Sequence, residues 1–128
     1  ARLTERPGSS EYLVGGVVAY SNGVKTAGLG VPVELIRTHG AVSPEVARAM
    51  ADGARHRLGA DIGVGITGVA GPGGGSDTKP VGYVCICVTT EEGPSLAVDP
   101  VFPGDRSVIR DRAVTSAMHL IRRVLSAR

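Results

Sequence analysis

Apolar residues recur along this chain in short stretches parted by glycine and proline, and the spacing inside each stretch predicts an element. Val17, Val18 and Ala19 make a compact apolar run that reads as a buried strand, which puts Tyr20, Ser21 and Asn22 at its carboxyl end. Thr26 to Val31 reads as a helical turn closing on glycine. Pro32 then opens a short helix through Leu35 and Ile36 that stops at Gly40. Ser43-Pro44-Glu45 is a strong helix start, with a capping hydroxyl, a proline at the first helical position and a carboxylate in the first turn. Val46, Met50, Ala54 and Leu58 form a stripe behind it, and Gly59 ends the helix. This helix is expected to pack on a sheet.

From Asp61 to Thr67 branched apolar residues alternate with glycine, so Ile62, Val64 and Ile66 would pack one face while the glycines admit a helix to the other. Residues 63–68 spell G-x-G-x-x-G. A dinucleotide site is rejected all the same, because two of these glycines lie inside the strand and a Pro/Gly-rich loop follows where that fold needs a helix. The loop from Gly68 to Gly75 reads either as a flexible linker or as backbone N–H groups that approach an anion or an amide oxygen. Tyr83–Thr90 reads as a strand, Glu91 to Pro94 as a turn, and Ser95 to Val101 as an antiparallel partner, given so short a connection. Asp105 caps a final helix whose core stripe is Ile109, Ala113, Ala117, Leu120, Ile121, Val124 and Leu125. Arg110, Arg122, Arg123 and Arg128 mark its solvated face. Together these elements predict one α/β domain over residues 1–128. The expected architecture is a three-layer α/β/α domain on a mixed, mainly parallel sheet with one antiparallel strand.

Composition narrows the function classes. A net charge of +2, from 14 basic and 12 acidic residues, is too balanced for a nucleic-acid surface, and three tyrosines and one phenylalanine offer few rings to stack bases. No apolar run approaches a membrane span and no signal peptide is visible, so the reading is a cytoplasmic protein without a membrane partner. Cys85 and Cys87 lie two apart on one strand and would face the same way, at about 6.5–7 Å between Cα atoms, at or beyond disulfide reach. They read as small core residues. His39, His56 and His119 are scattered, so no metal site is expected, and no organic cofactor is called for. His39 reads as a helix C-terminal histidine bonded to backbone.

The chemistry concentrates between Pro7 and Lys25. Pro7-Gly8-Ser9-Ser10 supplies hydroxyls after a turn, Tyr20 a phenol, and Lys25 an amine, near the strand end where open α/β sheets bind ligands. These are the parts of a serine–lysine hydrolase. The serine attacks, and a lysine kept neutral by burial takes its proton. The plainer alternative is that Ser9 and Ser10 cap a helix, Tyr20 fills a strand end and Lys25 is a solvated amine.

PGSS, GGVVAYSNGVK, LGV, HGAVS, GITGVAGPGGG, KPVG and FPGDR follow one another in this order. As a set they resemble the CinA C-terminal domain family, bacterial nicotinamide-mononucleotide deamidases. The resemblance implies Ser10 as nucleophile, Lys25 as base and Tyr20 as auxiliary, with Ser9, Thr67, Gly68 and Arg106 on the substrate, a pyridine nucleotide. It implies conversion of nicotinamide mononucleotide to the acid with release of ammonia, no cofactor, and a homo-oligomer, a dimer foremost. The alternative is a non-catalytic pyridine-nucleotide- or partner-binding module of a larger competence/damage-inducible protein of CinA type. The family also carries an upstream strand and a helix opening on a TAESCTGG-like segment. Ala1-Arg2-Leu3-Thr4 looks like the tail of that helix.

Overall fold

A three-stranded sheet in the order β1-β2-β3 carries the molecule, built from β1 (Ile62–Gly68), β2 (Val84–Thr90) and β3 (Leu96–Val98). The structure, a computed structural model, describes residues 2–127, so the calls on Ala1 and Arg128 lie outside the described residues. Four helices accompany the sheet: α1 (Asn22–Leu29), α2 (Val33–His39), α3 (Pro44–Leu58) and α4 (Arg106–Ser126). Two short 3-10 turns, Arg2–Thr4 and Ser9–Glu11, precede them. Successive side chains of β2 point to opposite faces. Val84, Ile86 and Val88 pack with Ile109, Ala113, Ala117, Leu120 and Val124 of α4, while Cys85 and Cys87 pack with Ala47 and Ala51 of α3. Both cysteines are thus buried, unpaired core residues.

The helix-on-sheet expectation holds for α3, but through a different row of residues. Val46 and Met50 bury against Leu29 and Val31, with Leu35 and Ile36 alongside, so the larger stripe faces α1 and α2. The row laid on the sheet is Ala47 and Ala51, over the strand glycines. A Cβ on Gly63 would stand 2.1 Å from the Ala51 carbonyl oxygen, and one on Gly65 2.1 Å from that of Ala47. Only glycine permits this approach, as the alternation in β1 foretold.

Two expectations about the sheet need correction. Every ladder among the described strands is antiparallel, β1 with β2 and β2 with β3. The sheet of these residues is therefore not mainly parallel. A parallel β1–β2 pair would need a crossover, usually helical. Here the connection instead turns back on itself, with Val69 N–H donating to Tyr83 O at 2.9 Å and Gly82 N–H to Val69 O at 2.7 Å. The second correction concerns Val17–Ala19, which is extended backbone and not a buried strand: Val18 is 84% exposed. Residues 14–20 make no backbone–backbone hydrogen bond among the described residues, and a strand exists only through its ladder. The predicted Ser95–Val101 strand forms its regular ladder only over Leu96–Val98, with a further bridge between Tyr83 and Val101. Pro100 has no N–H to donate, and its carbonyl instead accepts from Val84 N at 3.0 Å.

Both helix starts read from capping residues are present. Ser43 Oγ accepts from Val46 N and Asp105 accepts from Val108 N. The α4 stripe is buried except at Ile121, which is half-buried, and Leu125, which is exposed, whereas Arg110, Arg122 and Arg123 face solvent as expected.

Candidate active site

Lys25 owes its position to a helix that begins earlier than the helical turn expected from Thr26. Asn22-Gly23 forms the first turn of α1, capped by Ser21 Oγ accepting from Val24 N at 3.2 Å. Lys25 therefore sits on α1 with its side chain turned inward, 7% exposed, and its Nζ donates to Ala19 O at 3.1 Å. Burial of the ammonium lowers its pKa from the ordinary 10.5. No carboxylate is paired with it among the described residues.

Tyr20 follows the residue that holds Lys25. Its ring is exposed, and its hydroxyl accepts from Arg106 Nη2 at 3.1 Å. Arg106, the first residue of α4, donates through Nη1 to Gly71 O at 3.0 Å. One guanidinium thus links the segment before α1 to the loop after β1. It too is free of carboxylate partners among the described residues, and it stands at a helix N-terminus, where the macrodipole favours anions.

Thr67 lies near the end of β1, 7% exposed, and donates its hydroxyl to Ala41 O at 2.8 Å. Gly68 follows it in a crowded spot, where a Cβ would come within 2.9 Å of the Val84 side chain. Ser9 is half-buried and Ser10 exposed, both on the Ser9–Glu11 turn. Gly8 takes the capping position of that turn at φ 86, and no side chain caps it. Ser10 makes no side-chain hydrogen bond among the described residues, so the structure does not pair it with Lys25 or Tyr20. Of the residues singled out in the sequence, then, Tyr20 and Arg106 are joined directly. Lys25 is fixed one residue away, and Thr67 is tied to the α2–α3 turn.

Two contributors went unread in the sequence, the Gly71 carbonyl that accepts from Arg106 and the Lys79 ammonium that donates to His39 O at 2.5 Å. A backbone acceptor leaves no residue signature. Lys79 had one, the lysine of the quoted KPVG stretch. The ring of His39 ends α2 with Nδ1 3.6 Å from Glu45 Oε1, so a carboxylate and not the backbone faces it. Beside the site, a groove of about 760 Å³ between β1 and α4 is lined by Val64, Ile66, Val114, Met118 and Ile121, with Arg106 at one end. No cluster of three or more His, Cys, Asp or Glu is placed to hold a metal among the described residues. Among the described residues, no helix is long and apolar enough to cross a membrane.

A buried amine held by the residue before Tyr20, and an arginine at a helix N-terminus that binds the Tyr20 hydroxyl, are the setting in which the wider comparison falls. The profile of the CinA C-terminal domain matches residues 1–125, and the chain belongs to that family. Among individual relatives, a CinA-like protein of Mycobacterium marinum is 59% identical over 126 residues, and one of Mycolicibacterium vanbaalenii is 60% identical over 126 residues. In each case the match takes in 98% of this chain and 30% of the relative, so the chain spans less than a third of these proteins' length. Among solved structures, the competence/damage inducible protein CihA from Agrobacterium tumefaciens superposes with a TM-score of 0.93 at 40% identity, covering 95% of this chain and 74% of that one. A competence-damaged protein (CinA) superfamily protein from Escherichia coli superposes at 0.86 with 30% identity, covering 93% and 69%.

Proposed function

We propose that this domain hydrolyses the carboxamide of nicotinamide mononucleotide, giving nicotinate mononucleotide and ammonia. The observation that carries the reading is Lys25, a buried amine whose pKa burial lowers and whose Nζ has one carbonyl acceptor. Burial moves such an amine toward its neutral form, the form that can accept a proton. Ser10 Oγ attacks the amide carbon while Lys25 takes the hydroxyl proton. Backbone N–H groups of the loop after β1 hold the oxyanion. Collapse of the tetrahedral intermediate breaks the C–N bond, and Lys25 returns the proton to the departing ammonia. Water then cleaves the Ser10 ester by the same proton path in reverse roles. Arg106, unpaired with carboxylates, binds the phosphate, and Tyr20 orients both the guanidinium and the proton path. The reaction is tested by ammonia release from nicotinamide mononucleotide beside a Ser10→Ala control. Turnover in both proteins would remove Ser10 from the mechanism.

A second reading is a pyridine-nucleotide- or partner-binding module within a larger protein of CinA type. The observation that favours it is the exposed Ser10, which has no hydrogen bond to Lys25. Binding of nicotinamide mononucleotide without turnover in the wild type would decide for this module.

A further inference from the structure

Three successive carbonyls in the turn between α2 and α3 are each taken by a side chain from a different element. Lys79 Nζ donates to His39 O at 2.5 Å, Ser43 Oγ to Gly40 O at 2.9 Å, and Thr67 Oγ1 to Ala41 O at 2.8 Å. The carbonyls at a helix end have no intrahelical partner, and a cation there also answers the macrodipole. Lys79 is itself held in place. Its N–H donates to Ser76 Oγ at 3.1 Å and its carbonyl accepts from Ser76 N at 2.9 Å. Gly40 makes room for the ammonium, since a Cβ there would stand 2.7 Å from Nζ. Its φ of 83 is a second reason for glycine.

We propose that Lys79 is a positioning residue for Thr67. It fixes the His39–Ser43 turn, and that turn presents the Ala41 carbonyl that sets the direction of the Thr67 hydroxyl. The catalytic consequence rests on the amidase reading above together with the place on the substrate that the family resemblance implies for Thr67. Without Lys79 the His39 carbonyl turns to water, the turn loses one of its three ties, and the Thr67 side chain loses its fixed acceptor. The methyl and hydroxyl of a threonine at the end of β1 then sample other rotamers.

The test uses the complete polypeptide with Lys79→Met, Lys79→Arg, Thr67→Val and the Lys79→Met/Thr67→Val pair. For nicotinamide mononucleotide, Lys79→Met should lower kcat/KM about tenfold, the size of one charge-assisted hydrogen bond. Lys79→Arg, which keeps a donor and the charge, should recover most of it. The double variant should be no worse than Thr67→Val alone, because both changes break one linkage. Effects that multiply would overturn the proposal. A second readout needs no turnover: the Thr67 methyl resonance should shift in Lys79→Met and return in Lys79→Arg. An unmoved resonance in Lys79→Met also overturns the proposal. A shifted resonance in a protein that releases no ammonia sinks the amidase reading and leaves the link between Lys79 and Thr67 standing.

Discussion

Arg106 holds the Tyr20 hydroxyl at 3.1 Å from 86 positions further along the chain. The bond joins the N-terminus of α4 to the segment that leads into α1, and the same guanidinium reaches Gly71 O. Three chain segments therefore meet at one cation.

If that cation binds the phosphate of the substrate, Arg106→Ala should weaken binding of nicotinamide mononucleotide far more than binding of the dephosphorylated riboside. Loss of a charge-assisted pair costs about 1.5–3 kcal/mol, roughly ten- to a hundredfold. Titration calorimetry with the two ligands checks it. Equal losses would assign Arg106 to scaffolding alone.

Lys25→Arg separates a base from a fixed charge. Arginine keeps the charge and does not release its proton at accessible pH. As a base, Lys25 predicts near-complete loss of turnover in both Lys25→Arg and Lys25→Ala while nucleotide binding persists. Wild-type kcat/KM should rise with pH through one ionisation below 10.5, since burial lowers the amine. Substantial turnover in Lys25→Arg would mean that the base lies elsewhere.

The same shift has a stability signature. The folded-state pKa of Lys25 lies below 10.5, so between the two values the folded protein holds fewer protons than the unfolded chain. Stability therefore rises with pH across that window. Below the lowered value the cost of the buried charge is fully present, and above 10.5 it vanishes. Lys25→Met should accordingly melt higher than wild type at neutral pH, with the gap closing in alkaline buffer. A gap that is constant with pH would contradict the burial argument.

Gly65→Ala should destabilise the domain. The added Cβ would lie 2.1 Å from Ala47 O and 2.8 Å from Ala51 N, both backbone atoms of α3. Overpacking of this kind costs about 1–3 kcal/mol, read as a lower urea midpoint at unchanged slope. Gly16→Ala, with nothing within 4 Å of the new Cβ, serves as the neutral control.

What the sequence disclosed was local. Ser43 and Asp105 act as caps because the cap is a contact within three residues, and Gly63 and Gly65 betray a helix on their face because nothing else explains glycine at alternate positions of a strand. Pairing was harder. The Val17–Ala19 run has strand composition, yet only a neighbour makes a strand, and composition does not supply one. The antiparallel β2–β3 pair was legible from its short connection. The rest of the sheet was expected to be mainly parallel, although the Pro/Gly-rich stretch after Gly68 lacks the helical pattern of a crossover. The site divides in the same way. Residue types at Tyr20, Lys25 and Arg106 marked chemistry, but that Arg106 would meet Tyr20 depends on the packing of α4 across the sheet.

Among the described residues no ladder runs along residues 14–20, which gives the candidate site two walls of unequal stiffness. Thr67 stands on a wall pinned by β2 on one side and the α2–α3 turn on the other. Lys25 and Tyr20 hang from the other wall, through the Ala19 carbonyl and the phenol itself, on a segment without backbone–backbone hydrogen bonds among the described residues. Adjustment to a bound molecule falls on this compliant wall. Amide protons of residues 14–20 should exchange long before those of Val64 and Ile66, and a ligand that fits the site will announce itself by slowing the first group alone.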